Sequence, residues 1–153
     1  MKHSAMMALF GGLLLAASPG FAFELITPAE YQAERQAHLG HHRAEGAHMP
    51  LPGAPKIVIR APDTHESLAS PVSVAVDFVA EPDARIDPES IRIYYGWLDL
   101  DVTDRIRKHA TITEAGIAAR DVDLPAGSHE FHIRIADTKG RQTDQNFKVT
   151  VRG

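Results

Sequence analysis

The chain contains no cysteine. That absence excludes a disulfide framework, a thiolate metal site and a cysteine nucleophile together. A large excess of one charge is also missing: 16 lysines and arginines stand against 20 acids, a formal net charge of −4. No clustered basic surplus therefore points to nucleic acid or to an anionic membrane. The catalytic signatures are absent too, with no Gly-x-Ser-x-Gly elbow, no phosphate loop and no dinucleotide fingerprint. His129-Glu130-Phe131-His132 lacks the helical spacing of a zinc protease, and on a strand its two histidines point to opposite faces. Nothing singles out a catalytic acid pair among the 20 carboxylates. The expectation is a protein that is not an enzyme and needs no cofactor.

Long hydrophobic runs are scarce as well. The one that exists, Ala5 to Ala17, follows Lys2 and His3 and carries Leu13, Leu14 and Leu15 at its centre. It is too short for an ordinary membrane-spanning helix. Ser18 and Pro19 break it, and Gly20 and Ala22 place small residues where a signal peptidase cuts, between Ala22 and Phe23. Residues 1–22 read as a cleavable signal, which predicts a periplasmic or secreted protein with no membrane anchor after processing. No cysteine follows the cut to carry a lipid.

Composition then changes near Pro55. Residues 23–54 are rich in alanine, glutamate, glutamine and arginine and poor in β-branched residues, which favours helix. Thr27 as cap, Pro28 in the first turn and Glu30 closing a capping box predict a helix from Pro28 to about Leu39, with Gly40 as a stop. Its apolar stripe of Tyr31, alanines and Leu39 is thin, so the helix needs a surface to dock on. Gly46, Pro50, Pro52, Gly53 and Pro55 mark a flexible linker behind it.

From residue 55 to 153 the hydrophobic period becomes two, the mark of half-buried strands. Ile57 and Ile59, then Val72, Val74, Val76 and Phe78, then Ile91, Ile93, Tyr95 and Trp97 each share a parity. Phe131, Ile133 and Ile135 follow, and Phe147, Val149 and Val151 close the series. Shorter strands are expected at residues 98–102, 110–113 and 117–122. About seven strands with one apolar face each predict a mainly β fold, two antiparallel sheets packed as a β-sandwich behind the N-terminal helix and linker. The pattern also fits a small barrel.

The stretch Leu124-Pro125-Ala126-Gly127-Ser128-His129, the strand after it, the turn Asp137-Thr138-Lys139-Gly140 and the entry Ser70-Pro71-Val72 resemble bacterial immunoglobulin-like and fibronectin type III-like domains. The resemblance covers roughly residues 55–153 and implies their sandwich fold. The chain departs from them in lacking a cysteine pair, and His129 stands near the place of the usual corner tyrosine.

Three groups could bind something. His38, His41, His42 and His48 concentrate imidazoles before the sheet region and could hold zinc, copper or nickel, and a helix continued past Gly40 would put Glu34, His38 and His42 on one face. Asp99, Asp101 and Asp104 are a calcium candidate, although alternation with Leu100 and Val102 equally describes a strand with its acids outward. Tyr94, Tyr95 and Trp97 are a candidate sugar platform, in which parity leaves Tyr94 alone outside. Together these features describe an exported binding or accessory module that acts on a protein partner through a sheet face or an edge strand. Transition-metal binding by the histidines and carbohydrate binding are its alternatives.

Overall fold

A computed structural model describes residues 22–40 and 51–153. The described chain is mainly β. In order it runs β1 (Phe23–Glu24), α1 (Pro28–Gly40), β2 (Lys56–Ala61), β3 (Ser67–Leu68), β4 (Val72–Val79), a 3-10 turn at Pro88–Ser90, β5 (Arg92–Tyr95) and β6 (Leu100–Asp101). It continues with α2 (Thr103–His109), β7 (Ala110–Thr113), β8 (Gly116–Asp123), β9 (Gly127–Ala136) and β10 (Gln142–Val151).

The strands form two sheets of five. In one the order is β1-β8-β4-β2, with β7 also on β8; in the other it is β3-β10-β9-β5-β6. Both sheets are mixed, which corrects the expectation of purely antiparallel pairing. β1 runs parallel to β8 through Phe23↔Val122, and β3 runs parallel to β10 through Thr150↔Ser67. Each of these extra strands is two residues long, too short to show any period.

The alternating residues of both sheets meet in one apolar cluster. Val72, Val76, Phe78, Ile117 and Val122 come from the first sheet, and Ile93, Tyr95, Phe131, Ile133, Ile135 and Val149 from the second. Complete burial of one such aliphatic side chain contributes about 1.5–3 kcal/mol, and the period of two aims one in every second position at this layer. Leu25, Ile26, Val102 and Ile106 seal it from the side.

Around residue 98 the structure differs from the sequence reading. Tyr95 is buried, but Trp97 lies in a turn and is only partly covered, so it is not a core residue. The expected strand over residues 98–102 shrinks to Leu100–Asp101, and the chain then enters α2. Asp101 Oδ1 accepts the Thr103 backbone N–H at 2.9 Å, and buried Val102 and Ile106, four apart, pin the helix down. The Thr103 hydroxyl accepts the Ile93 N–H at 2.8 Å and ties α2 to β5. Only that one i,i+4 apolar pair announces a helix of seven residues.

Candidate functional site

Ahead of α1, Leu25 and Ile26 are buried in the core, whereas α1 itself is held chiefly by directed polar contacts and by Tyr31. Glu30 closes the capping box, accepting the Thr27 N–H at 2.9 Å while its own N–H donates to Thr27 Oγ1 at 3.2 Å. The same carboxylate takes a bidentate pair from Arg105 of α2, at 2.6 and 2.9 Å, and Arg105 also donates to the Leu25 carbonyl. These bonds, the Arg105 guanidinium first among them, hold the Glu30 carboxyl down at about 2. Further along α1, Glu34 accepts the backbone N–H groups of Trp97 and Leu98. Residue 96 is therefore glycine for two reasons: its φ is +67°, and a Cβ there would collide with the Glu34 carboxylate.

Beneath α1, Tyr31 covers a buried histidine. His129 is fully enclosed, its ring 4.9 Å from that of Tyr31 and 5.8 Å from that of Tyr95. Its Nε2 lies 2.7 Å from the Pro125 carbonyl, which can only accept, so Nε2 carries the proton and Nδ1 accepts the Tyr95 hydroxyl at 3.0 Å. Burial pushes the imidazole pKa down, against the bond to Pro125, and pushes the Tyr95 phenol up. Every polar atom of the pair is satisfied within the fold, and this histidine is built to stay neutral.

Three residues on, His132 faces the other way. On the outer surface of the second sheet it lies beside Tyr94, ring centroids 5.7 Å apart, with Nε2 3.0 Å from Asp144 Oδ1. Arg134 donates to the same oxygen at 2.6 Å and sets its guanidinium 5.8 Å from the Tyr94 ring centre. Register brings these residues together: Tyr94 opposes His132, and Arg134 opposes both Arg92 and Asp144. The sequence reading found Tyr94 but not its companions, which lie on two other strands.

The other candidates are dispersed. His38 is exposed in the last turn of α1, its ring edge-on to Trp97 at 6.2 Å, whereas His41, His42 and His48 lie outside the described residues. Asp99 has φ +49° in the turn before β6, Asp101 spends an oxygen on Thr103, and Asp104 points outward from α2. Among the described residues no three histidine, aspartate or glutamate side chains are arranged to hold a metal. At the expected cleavage point Ala22 is exposed, and Phe23 pairs in β1 and stacks on His109 at 4.4 Å. Asp137, buried at the last hairpin, accepts from the Lys139 and Arg141 backbones and from Arg141 Nε. Between the sheets lies a void of about 30 Å³ lined entirely by apolar side chains.

One side of β10 has no strand partner over part of its length among the described residues. The Asp137 N–H donates to the Arg141 carbonyl, which sets the hydrogen-bonding phase of the whole β9–β10 hairpin. In that phase Thr143, Gln145, Phe147 and Val149 bond to β9, while the main-chain groups of Asp144, Asn146 and Lys148 point away from it. The Arg152 N–H donates to the Leu68 carbonyl with the same phase, on the side where β3 covers Thr150 and Val151. Among the described residues no strand pairs with that side of Asp144, Asn146 or Lys148.

Compared with known proteins, the chain matches no family model, no curated protein and no solved structure. Its functional reading therefore rests on this geometry.

Proposed function

We propose that the chain is an exported, non-enzymatic binding or accessory module of the immunoglobulin-like kind, and that it takes a protein partner along the open side of β10. The fold part of this reading is supported by strand order. β2, β4, β8 and β7 follow one another as A, B, E and D do in an immunoglobulin sheet, and β5, β9 and β10 as C, F and G. His129, at the start of β9, bonds back to a main-chain carbonyl four residues upstream, as the corner tyrosine of that fold does. The exported character rests on the signal-like residues 1–22.

The observation that carries the binding reading is the main-chain ladder at Asp144, Asn146 and Lys148, which has no strand partner among the described residues. An extended partner segment completes such a ladder by adding a strand, with main-chain bonds supplying affinity and alternate side chains supplying choice. Asn146→Pro removes one outward N–H without removing a bond to β9. The expected outcome is a protein from the exported fraction that binds the wild-type chain, slows hydrogen exchange at the three outward amides and loses binding to Asn146→Pro. Binding that survives Asn146→Pro without protecting those amides overturns the reading.

A second reading has one observation in its favour. Tyr94, half-buried among His132, Arg134 and Asp144, joins a ring to hydrogen-bonding groups as sugar sites do. A glycan array on which Tyr94→Ala abolishes binding would support it, and an array blank for the wild-type chain would remove it.

A further inference from the structure

The sequence along β10 matches itself. Its outward-bonding residues are Asp144, Asn146 and Lys148, an acid and a base placed evenly about an amide. If two copies of β10 lie antiparallel with Asn146 against Asn146, then Asp144 of each copy faces Lys148 of the other. The same register sets Gln145 against Phe147 on the inner face. All three outward residues then fall at hydrogen-bonded positions, so the two edges exchange about six N–H···O bonds and two cross-strand ion pairs.

Both charges are available for this. Asp144 Oδ1 is taken by His132 and Arg134, but Oδ2 accepts no hydrogen bond among the described residues. Lys148 is exposed and, although Glu130 lies opposite it on β9, forms no ion pair among the described residues. The ends of the open stretch fit the same centre. On one side β3 closes the edge from Thr150 onward. On the other, Gly53 lies against the Arg141 side chain, and the Thr143 hydroxyl donates to the Pro55 carbonyl.

The matching edge of the first sheet is guarded. β2 follows Pro55, breaks register between Ile59 and Ala61, and runs into Pro62. A bulge and flanking prolines are how natural sheets blunt an edge. β10 has neither, with ten residues in unbroken register on β9.

We infer that the partner that β10 fits is a second copy of this chain, joined about a two-fold axis at Asn146 into one continuous sheet. The inference rests on the open edge of β10 being the binding surface, and the following experiment separates the two claims. Sedimentation of the purified exported protein across concentrations from about 10 μM to 1 mM spans the affinity of so small an interface. The wild-type chain is expected to dimerise reversibly. Lys148→Glu sets acid against acid, Asp144→Lys sets base against base, and each is expected to weaken self-association at least about tenfold. An equimolar mixture of the two variants restores opposite charges at both positions and is expected to recover the dimer. A variant that merely misfolds cannot be rescued in this way.

A wild-type chain that stays monomeric across the range overturns the inference, as does a dimer that neither variant weakens. In the monomeric case, protection of the Asp144, Asn146 and Lys148 amides by a different protein keeps the edge reading, and their continued exposure removes that as well.

Discussion

The two sheets and α1 are held by different physics. The sheets meet mainly through apolar side chains, which Leu25 and Ile26 join, whereas Pro28–Gly40 is fixed by a carboxylate on a guanidinium, a carboxylate on two backbone amides, and one ring over a buried histidine. Apolar burial is spread over many residues and does not depend on direction. Directed contacts are few, and they tie single positions of α1 to Arg105 of α2, to the turn after β5 and to His129 of β9. The helix therefore behaves as a docked unit that can open separately from the sheets.

One truncation in each region should break them apart. Ile135 is fully buried, and Ile135→Ala is expected to cost about 2–5 kcal/mol of global stability, the usual penalty for a core aliphatic side chain. It should speed hydrogen exchange throughout β9, β10 and β4. Tyr31 is 9% exposed and touches the sheets chiefly through His129, so Tyr31→Ala should cost about 1–3 kcal/mol and release α1 while the sheet amides stay protected. Equal loss of protection everywhere in Tyr31→Ala would show that the helix and the sheets form one cooperative unit.

The same division explains what could be read from sequence. Val72 to Phe78 and Phe131 to Ile135 announce themselves because half-burial imposes alternation on the chain itself. Thr27, Pro28 and Glu30 announce the start of α1 for a similar reason, since the cap is satisfied within three residues. What cannot be read is whatever depends on the neighbour. Nothing near Tyr94 in sequence says that His132, Arg134 and Asp144 arrive beside it, because register decides that. Nothing in Gln142–Val151 says that most of its far side has no strand partner among the described residues, because that depends on where β3 ends. His129 shows no sign of its role locally, since its acceptor is a carbonyl and its cover comes from a helix almost a hundred residues earlier.

His129 sits where the two regions meet and should link both to pH. Its folded pKa lies below the ordinary 6.5, so the unfolded chain binds the proton first. Stability is then full above pH 6.5 and falls below it, by as much as about 1.4 kcal/mol per pH unit. Chemical denaturation at pH 7.5 and 5.5 measures this, and His129→Gln should flatten the difference. An unchanged slope in that variant would place the dependence on other groups.

Glu30 supplies a smaller effect of the same kind at lower pH. Its carboxyl falls from 4.5 to about 2 on folding, so its contribution is present above pH 4.5 and is lost as pH drops toward 2. Arg105 is 39% exposed and Glu30 25%, and solvent screening reduces the pair to about 1 kcal/mol. Glu30→Gln at pH 7 should therefore cost about that much, with the loss concentrated in α1 because the capping box and the bond to α2 weaken together. As pH falls to 2 the gap between wild type and Glu30→Gln should narrow, since Glu30 is then about half protonated in the folded chain and protonated in the unfolded one. A gap that stays as wide at pH 2 would mean that Glu30 acts through shape at the cap rather than through its charge on Arg105.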